Sequence, residues 1–175
     1  MADAKIEAAK AHWSGRMVSN GMPLADFQDV TTQTKNWDDW CTALSEKGDM
    51  HAHLGNESEA NGFSLSAGEH YVTAAVCYHF GKFLFVNNPE QMKSTHLKAV
   101  EIYTRSLPYL SPPGERVSIP YGERTLYGNL RKPNGIETPP VVILIMGLDS
   151  AKEEMYHNET LFLDRGMATL TFDGP

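Results

Sequence analysis

From Pro140 to Pro175 the chain reads PVVILIMGLDSAKEEMYHNETLFLDRGMATLTFDGP, and this stretch admits few folds. VVILIM (141–146) is a short, β-branched apolar run of the kind that forms a strand buried on both faces. Gly147-Leu148-Asp149 predicts a turn. Ser150-Ala151-Lys152-Glu153 has the form of a capping box opening a helix to about Arg165, with Gly166 as its C-cap and a basic last turn. ATLTF (168–172) predicts a second strand, closed by Asp173-Gly174-Pro175. Strand, crossover helix and strand make one βαβ unit, which requires a parallel sheet. Two parallel strands do not complete a doubly wound domain, so the chain is expected to stop inside a larger fold.

Upstream, residues 1–110 read as helix. Residues 4–20 place Ile6, Ala9, Trp13 and Met17 along one face, and Gly21-Met22-Pro23 breaks the pattern before a short helical turn at 24–30. Asn36 is placed as an N-cap, with Asp38 and Asp39 in the first turn. The helix behind it carries Trp37, Trp40, Cys41 and Leu44, and Gly48 and Gly55 weaken its continuity. Ser66-Ala67-Gly68-Glu69 forms a second capping box with Leu65 as an apolar staple. The helix it opens, 67–86, is apolar almost all round and is expected at the centre of a small bundle. Asn88-Pro89-Glu90 starts a last helix reaching about Leu107. Residues 107–114 hold three prolines and a glycine, which ends the helical period and predicts a stiff linker. Beyond it, residues 116–119 and 125–130 alternate around Tyr121-Gly122-Glu123 as a β-hairpin does. The expected division is a helical module over 1–110 and part of an α/β core over 111–175.

Charge narrows the function. Acidic residues outnumber basic ones 22 to 15, for a net charge of −7 without blocks, which disfavours a nucleic-acid or anionic-membrane surface. The N-terminus lacks the apolar core of a signal peptide, and no run reaches the roughly 18 apolar residues of a membrane span. A soluble, cytoplasmic protein with reduced Cys41 and Cys77 is the expectation. No G-x-G-x-x-G or P-loop occurs, so no cofactor is expected. His51-x-His53 places its imidazoles on different sides of a helix, and no acid or Cys stands at zinc-like spacing; no metal is expected.

A hairpin, a buried strand and a βα unit are how an α/β-hydrolase core begins. In that fold one oxyanion-hole N–H comes from the loop after the third strand. That places the Leu148 N–H at a developing oxyanion, beside Gly147, where backbone approaches a ligand closely. The same loop also reads as an ordinary strand-to-helix turn.

The runs GLDSAKEE, LFLDRGMATLTFDGP, LSAGEHYVTAAVCYHFGKFLF and LPYLSPPGERV together resemble the α/β-hydrolases related to 2,6-dihydroxypseudooxynicotine hydrolase and to fungal polyketide-shortening hydrolases. The resemblance implies a helical lid that often dimerises, set over a Ser–Asp–His triad with its serine in a G-x-S-x-G elbow. None of those three residues is expected in this chain. It implies a homodimer, a small aromatic or polyketide-like substrate, C–C or ester bond cleavage, and completion of the core by a C-terminal part. Asp149 stands where the nicotine-pathway enzyme has a glutamate, one methylene longer, and is read as an auxiliary carboxylate or as an acid favouring the N-terminus of the next helix. Glu153 reads as a capping-box residue and Glu154 as an ordinary first-turn acid. His79 reads as a core histidine, or, with Tyr78 and Phe83, as part of a substrate pocket under the lid. Two alternatives stand beside the hydrolase reading: a non-catalytic binding protein on the same fold, and an inactive fragment.

Overall fold

The computed structural model describes residues 3–85 and 87–175. Helices α1 (Ala4–Ser19), α2 (Leu24–Gln33), α3 (Trp40–Ala60), α4 (Ser64–Lys82) and α5 (Pro89–Ser106) come first; strands β1 (Gly114–Tyr121), β2 (Arg124–Arg131) and β3 (Val141–Ile145), helix α6 (Tyr156–Leu163) and strand β4 (Ala168–Phe172) follow. Asp3 caps α1 by accepting from the Lys5 N–H at 2.9 Å, and its other oxygen accepts the Trp37 N–H at 2.7 Å. One carboxylate thus starts the first helix and ties it to the approach to α3. The predicted Asn36 cap is different in detail: its amide reaches the Asp39 carboxylate, and a 3-10 turn at Trp37–Asp39 precedes α3. Asn88 does cap α5, accepting from the Gln91 N–H at 3.1 Å.

Helix α4 is the hub, with Tyr71, Val76, Cys77 and Phe80 fully buried on different sides of it. It begins at Ser64 without a side-chain cap, and Leu65 is exposed, so the Ser66 box and its staple do not form. The reason lies in the connection. Gly62, at φ 77°, turns the chain straight out of α3, and the Phe63 carbonyl already accepts the Ala67 N–H. The helix also ends earlier than expected, at Lys82; Val86 lies outside the described residues.

Gly48 and Gly55 do not interrupt α3. They stand two turns apart against Tyr78 and Tyr71, which stand two turns apart on α4 in the opposite order. A Cβ at Gly48 would lie 2.5 Å from the Tyr78 ring, and one at Gly55 would overlap Tyr71. The missing side chains let two antiparallel helices close over two tyrosines. At the ring ends, Tyr78 donates to Asp49 at 2.5 Å and Tyr71 to Glu59 at 2.7 Å.

The four strands run in the order β1-β2-β4-β3, with the expected β1–β2 hairpin and a parallel β3–β4 pair. Strand β3 departs from expectation. It is a sheet edge, and Val141, Ile143 and Ile145 are more than half exposed on one face. The predicted stiff linker is also bonded to the sheet. Leu107–Tyr109 forms a 3-10 turn, and the carbonyls of Ser111 and Pro112 are bonded by the buried Arg131 of β2 at 3.1–3.3 Å. Arg131 also meets the buried Glu159 of α6 at 3.4 Å; Glu159 in turn accepts from Tyr103 of α5 and Thr169 of β4, each at 3.3 Å. Burial pushes the Glu159 carboxyl up in spite of its cationic neighbour.

Ordinarily Gly→Ala inside a helix adds up to about 1 kcal/mol of stability. Here Gly48→Ala is expected to remove about 1–3 kcal/mol by forcing Tyr78 off its seat. Urea denaturation, with Gly15→Ala on the open face of α1 as control, reads the difference in sign.

Candidate functional site

The loop between β3 and α6 does not form the predicted capping box. Ser150 Oγ accepts from Arg16 Nη2 at 3.1 Å instead, the chain makes a 3-10 turn at Lys152–Glu154, and α6 starts only at Tyr156. Glu153 is therefore not a capping-box residue, nor Glu154 an ordinary first-turn acid: they are buried, at 1% and 0% exposure. Lys152 clamps this loop to the end of β4. Its backbone N–H donates to Asp173 Oδ1 at 3.0 Å and its ammonium to Asp173 Oδ2 at 2.7 Å, with Glu153 Oε1 also at 2.7 Å. The C-terminal ends of two parallel strands, where α/β sheets bind ligands, are thus held in one geometry.

Arg16 of α1 organises the other side. Its guanidinium reaches Asp149 Oδ2 at 3.1 Å and Glu154 Oε1 at 2.7 Å, and its carbon lies 4.8 Å from the centre of the Phe83 ring. Glu154 Oε2 accepts from Asn20 at 2.8 Å and faces His79 Nε2 at 3.4 Å. Asn158 of α6 donates to Asn20 at 3.2 Å. Burial alone would raise the Glu154 carboxyl, but the His79 ring and the Arg16 guanidinium outweigh it and hold it at about 2. Burial pushes the His79 imidazole down.

Between this loop and the helices lies a cleft of about 710 Å³. Phe83, Leu84, Pro89 and Met92 give it apolar walls; Lys82, Lys93 and His96 are polar positions along it, and Leu148 and Asp149 form the loop side. Burial pushes both the Lys82 ammonium and the His96 imidazole down. Leu148 projects fully into solvent at the rim, and a Cβ at Gly147 would meet nothing within 4 Å, so the backbone there is open to approach.

The expected site residues separate into three places. Leu148, Asp149 and Phe83 border this one cleft, with Gly147 adjoining in the loop. His79 lies behind it, 1% exposed, packed edge-on to Phe80 at 4.9 Å and beside Glu154. Tyr78 is elsewhere, donating to Asp49 with the Lys98 ammonium over its ring. Asp149 precedes no helix; its carboxylate is ion-paired to Arg16, so its reading as a helix-terminus acid is replaced by a long-range bond. Arg16, Lys82 and His96 were not singled out from sequence, and Glu154 was read only as an ordinary first-turn acid. Arg16 contributes only a polar interruption near an apolar stripe, and its partners stand 133–138 residues away. His51 and His53 also part company. His51 Nε2 bonds Asp26 at 2.8 Å and its Nδ1 faces His70 at 3.2 Å, while His53 is solvent-exposed near Glu57. Among the described residues no group of three or more His, Cys, Asp or Glu is disposed to hold a metal ion, and no helix is long and apolar enough to cross a membrane.

Glu154→Gln puts a neutral amide in place of the buried carboxylate while Arg16 keeps its pair with Asp149, and is expected to cost about 1.5–3 kcal/mol at pH 7. The pH dependence has a definite sign. The carboxyl titrates at about 2 in the fold against an ordinary 4.5, so its contribution is complete above 4.5 and is lost as pH falls from there toward 2. Urea midpoints measured from pH 7 to pH 3 should fall more steeply for the parent chain than for Glu154→Gln.

Residues 25–175 match the family described as Esterase FrsA-like. The chain is 35% identical over 173 residues to 2,6-dihydropseudooxynicotine hydrolase of Paenarthrobacter nicotinovorans, a match that covers 98% of this chain and 46% of that protein. It is 26% identical to the α/β-hydrolase gkaG of Penicillium citrinum, covering 92% of this chain and 40% of the relative. The crystal structure of 2,6-dihydroxy-pseudo-oxynicotine hydrolase superposes with a TM-score of 0.85 at 33% identity, over 94% of this chain and 46% of that one. The chain spans less than half the length of these relatives. An all-helical first part, a sheet that begins with an antiparallel hairpin and turns parallel, and a match over most of its length lead to one conclusion: this chain belongs to the FrsA-like esterase family of α/β-hydrolases.

Proposed function

We propose that the chain is the N-terminal part of a serine-dependent hydrolase that cleaves a C–C bond or an ester of an aromatic or polyketide-like carbonyl compound. The observation that carries this reading is the position of the exposed loop 146–149 at the rim of an apolar-walled cleft roofed by α4 and α5. A carbonyl compound seated against Phe83 and Met92 brings its oxygen toward the Leu148 N–H. The nucleophilic serine and its acid and histidine partners belong, in this reading, to the half of the relatives' length that lies outside the match. Attack by the serine on the carbonyl carbon creates an oxyanion that the Leu148 N–H helps to hold, and water then releases the acyl group. Asp149, fixed by Arg16, keeps the loop in place and presents a carboxylate to a substrate hydroxyl. The remaining half of the core also covers the exposed face of β3, and the helical part, residues 1–110, serves as lid and as the contact for a second copy.

In the full-length protein, a fluorophosphonate probe is expected to label one serine stoichiometrically, and the absence of labelling would favour a binding role on the same fold. With Leu148→Ala as the control that keeps the N–H, Leu148→Pro deletes it, while also fixing φ at 148 and restricting Gly147. It is expected to lower kcat by about 10²-fold or more with an unchanged thermal midpoint. Equal kcat in parent and variant would exclude this backbone group from the oxyanion site.

A further inference from the structure

Leu84 is placed where a glycine is ordinarily found. It follows the last turn of α4 with φ 54°, the left-handed region, and it is the one non-glycine residue among those described with a positive φ. Helices commonly end on glycine in this conformation because a Cβ there crowds the neighbouring carbonyl. A leucine kept in it normally offsets the strain by packing into a core, yet this side chain is 49% exposed. Backbone strain that does not serve the core points to the surface the side chain borders.

That surface is double. On one side lies the cleft of about 710 Å³ that contains Leu148 and Asp149. On the other is a second groove of about 340 Å³ between α1 and the start of α3, lined by Ala8, Trp13, Met17, Trp37 and Trp40, with Lys5 at its edge. Phe83 and Leu84 are the two residues common to both linings. Phe83 is fixed: it is 3% exposed, edge-on to Trp13 at 5.1 Å and to Phe80 at 5.6 Å, with Arg16 over its ring. Leu84 is the exposed member of the shared wall.

We infer that the tryptophan-lined groove is a distal subsite for the apolar tail of the substrate, and that Leu84 is the specificity-determining partition that limits how far that tail extends from the carbonyl held at Leu148. The inference rests on the hydrolase reading of the first cleft and adds to it a second compartment and the residue that divides the two. The occupant is alkyl or aryl carbon rather than a charged group, because the groove is walled by indole rings and alanine methyls, with Lys5 only at its edge. Each methylene buried there strengthens binding about fourfold.

The test uses the full-length protein and p-nitrophenyl esters from acetate to dodecanoate. Leu84→Gly relieves the positive φ, so it is expected to unfold at the same or a higher urea midpoint. It is expected to raise the ratio of kcat/KM for dodecanoate to kcat/KM for acetate at least tenfold, chiefly through the KM of the long ester. Ala8→Trp, which fills the second groove without touching the first cleft, is expected to cancel that gain. An unchanged chain-length profile in Leu84→Gly, or a gain that survives Ala8→Trp, overturns the partition. If no ester is turned over, the ester branch of the hydrolase reading fails separately. The subsite is then read by tryptophan quenching with p-nitrophenyl alkyl ethers, whose affinity in Leu84→Gly should rise with chain length about tenfold above the parent. Affinity independent of length in both proteins overturns it.

Discussion

The carboxylate of Glu154 is the point on which the arrangement of this chain depends. It is fully buried and ionised, and it survives there because it is surrounded by Arg16 and Asn20 from the first helix and its cap, and by His79 from the central helix. An isolated carboxylate in such a place would be strongly unfavourable, so the three contacts cannot be lost separately. Their collective effect is mechanical. They join the start of the chain to a loop more than 130 residues later, and that loop carries Leu148 and Asp149. The cleft exists because this junction sets α4 and α5 over the ends of β3 and β4.

A second buried pair does the same for the back of the molecule. Arg131 and Glu159 connect the hairpin, the proline segment, α5, α6 and β4. Two ionic junctions, one at the cleft and one beneath the sheet, hold the helical and sheet-forming parts together where a wholly apolar contact would be less directional. Hydrogen-bonded charges accept only a narrow range of angles, and that suits a surface that must present a loop in one position. Between the junctions, Gly48 and Gly55 allow α3 and α4 to approach closely over Tyr78 and Tyr71.

Much of the local structure was legible in the residues. The βαβ order, the hairpin, the all-round apolar α4 and the Asn88 cap of α5 follow from period and capping chemistry, which act over a few residues. The failures in the β3–α6 loop share one cause. Ser150, Glu153, Glu154 and Asp149 looked like the opening of a helix because local pattern offered them no other partner. In the fold, Ser150, Asp149 and Glu154 are drawn to Arg16, and Glu153 to Lys152, beside Asp173. Gly48 and Gly55 were misread in the same way, as helix weakeners, since the tyrosines they admit lie on the next helix.

By itself the sequence determined the kinds of element and their order, the family resemblance, and the loop 146–149 as the place where chemistry would be sought. Those properties reside in short-range periodicity and in runs of residues that stay together along the chain. Only the tertiary structure decided which side chains share that loop's surroundings: Phe83 beside it, His79 one layer behind it, Tyr78 away from it, and Leu84 on the wall between two grooves. Adjacent residues on a helix point in directions about 100° apart, so 78 was bound to part from 79, whereas 79 and 83, one turn apart, stay on one side with ring centroids 6.0 Å apart. Which of them faced the cleft depended on where α1 and the β3–α6 loop came to rest, and that was settled by the ion pair of Arg16 with the buried Glu154.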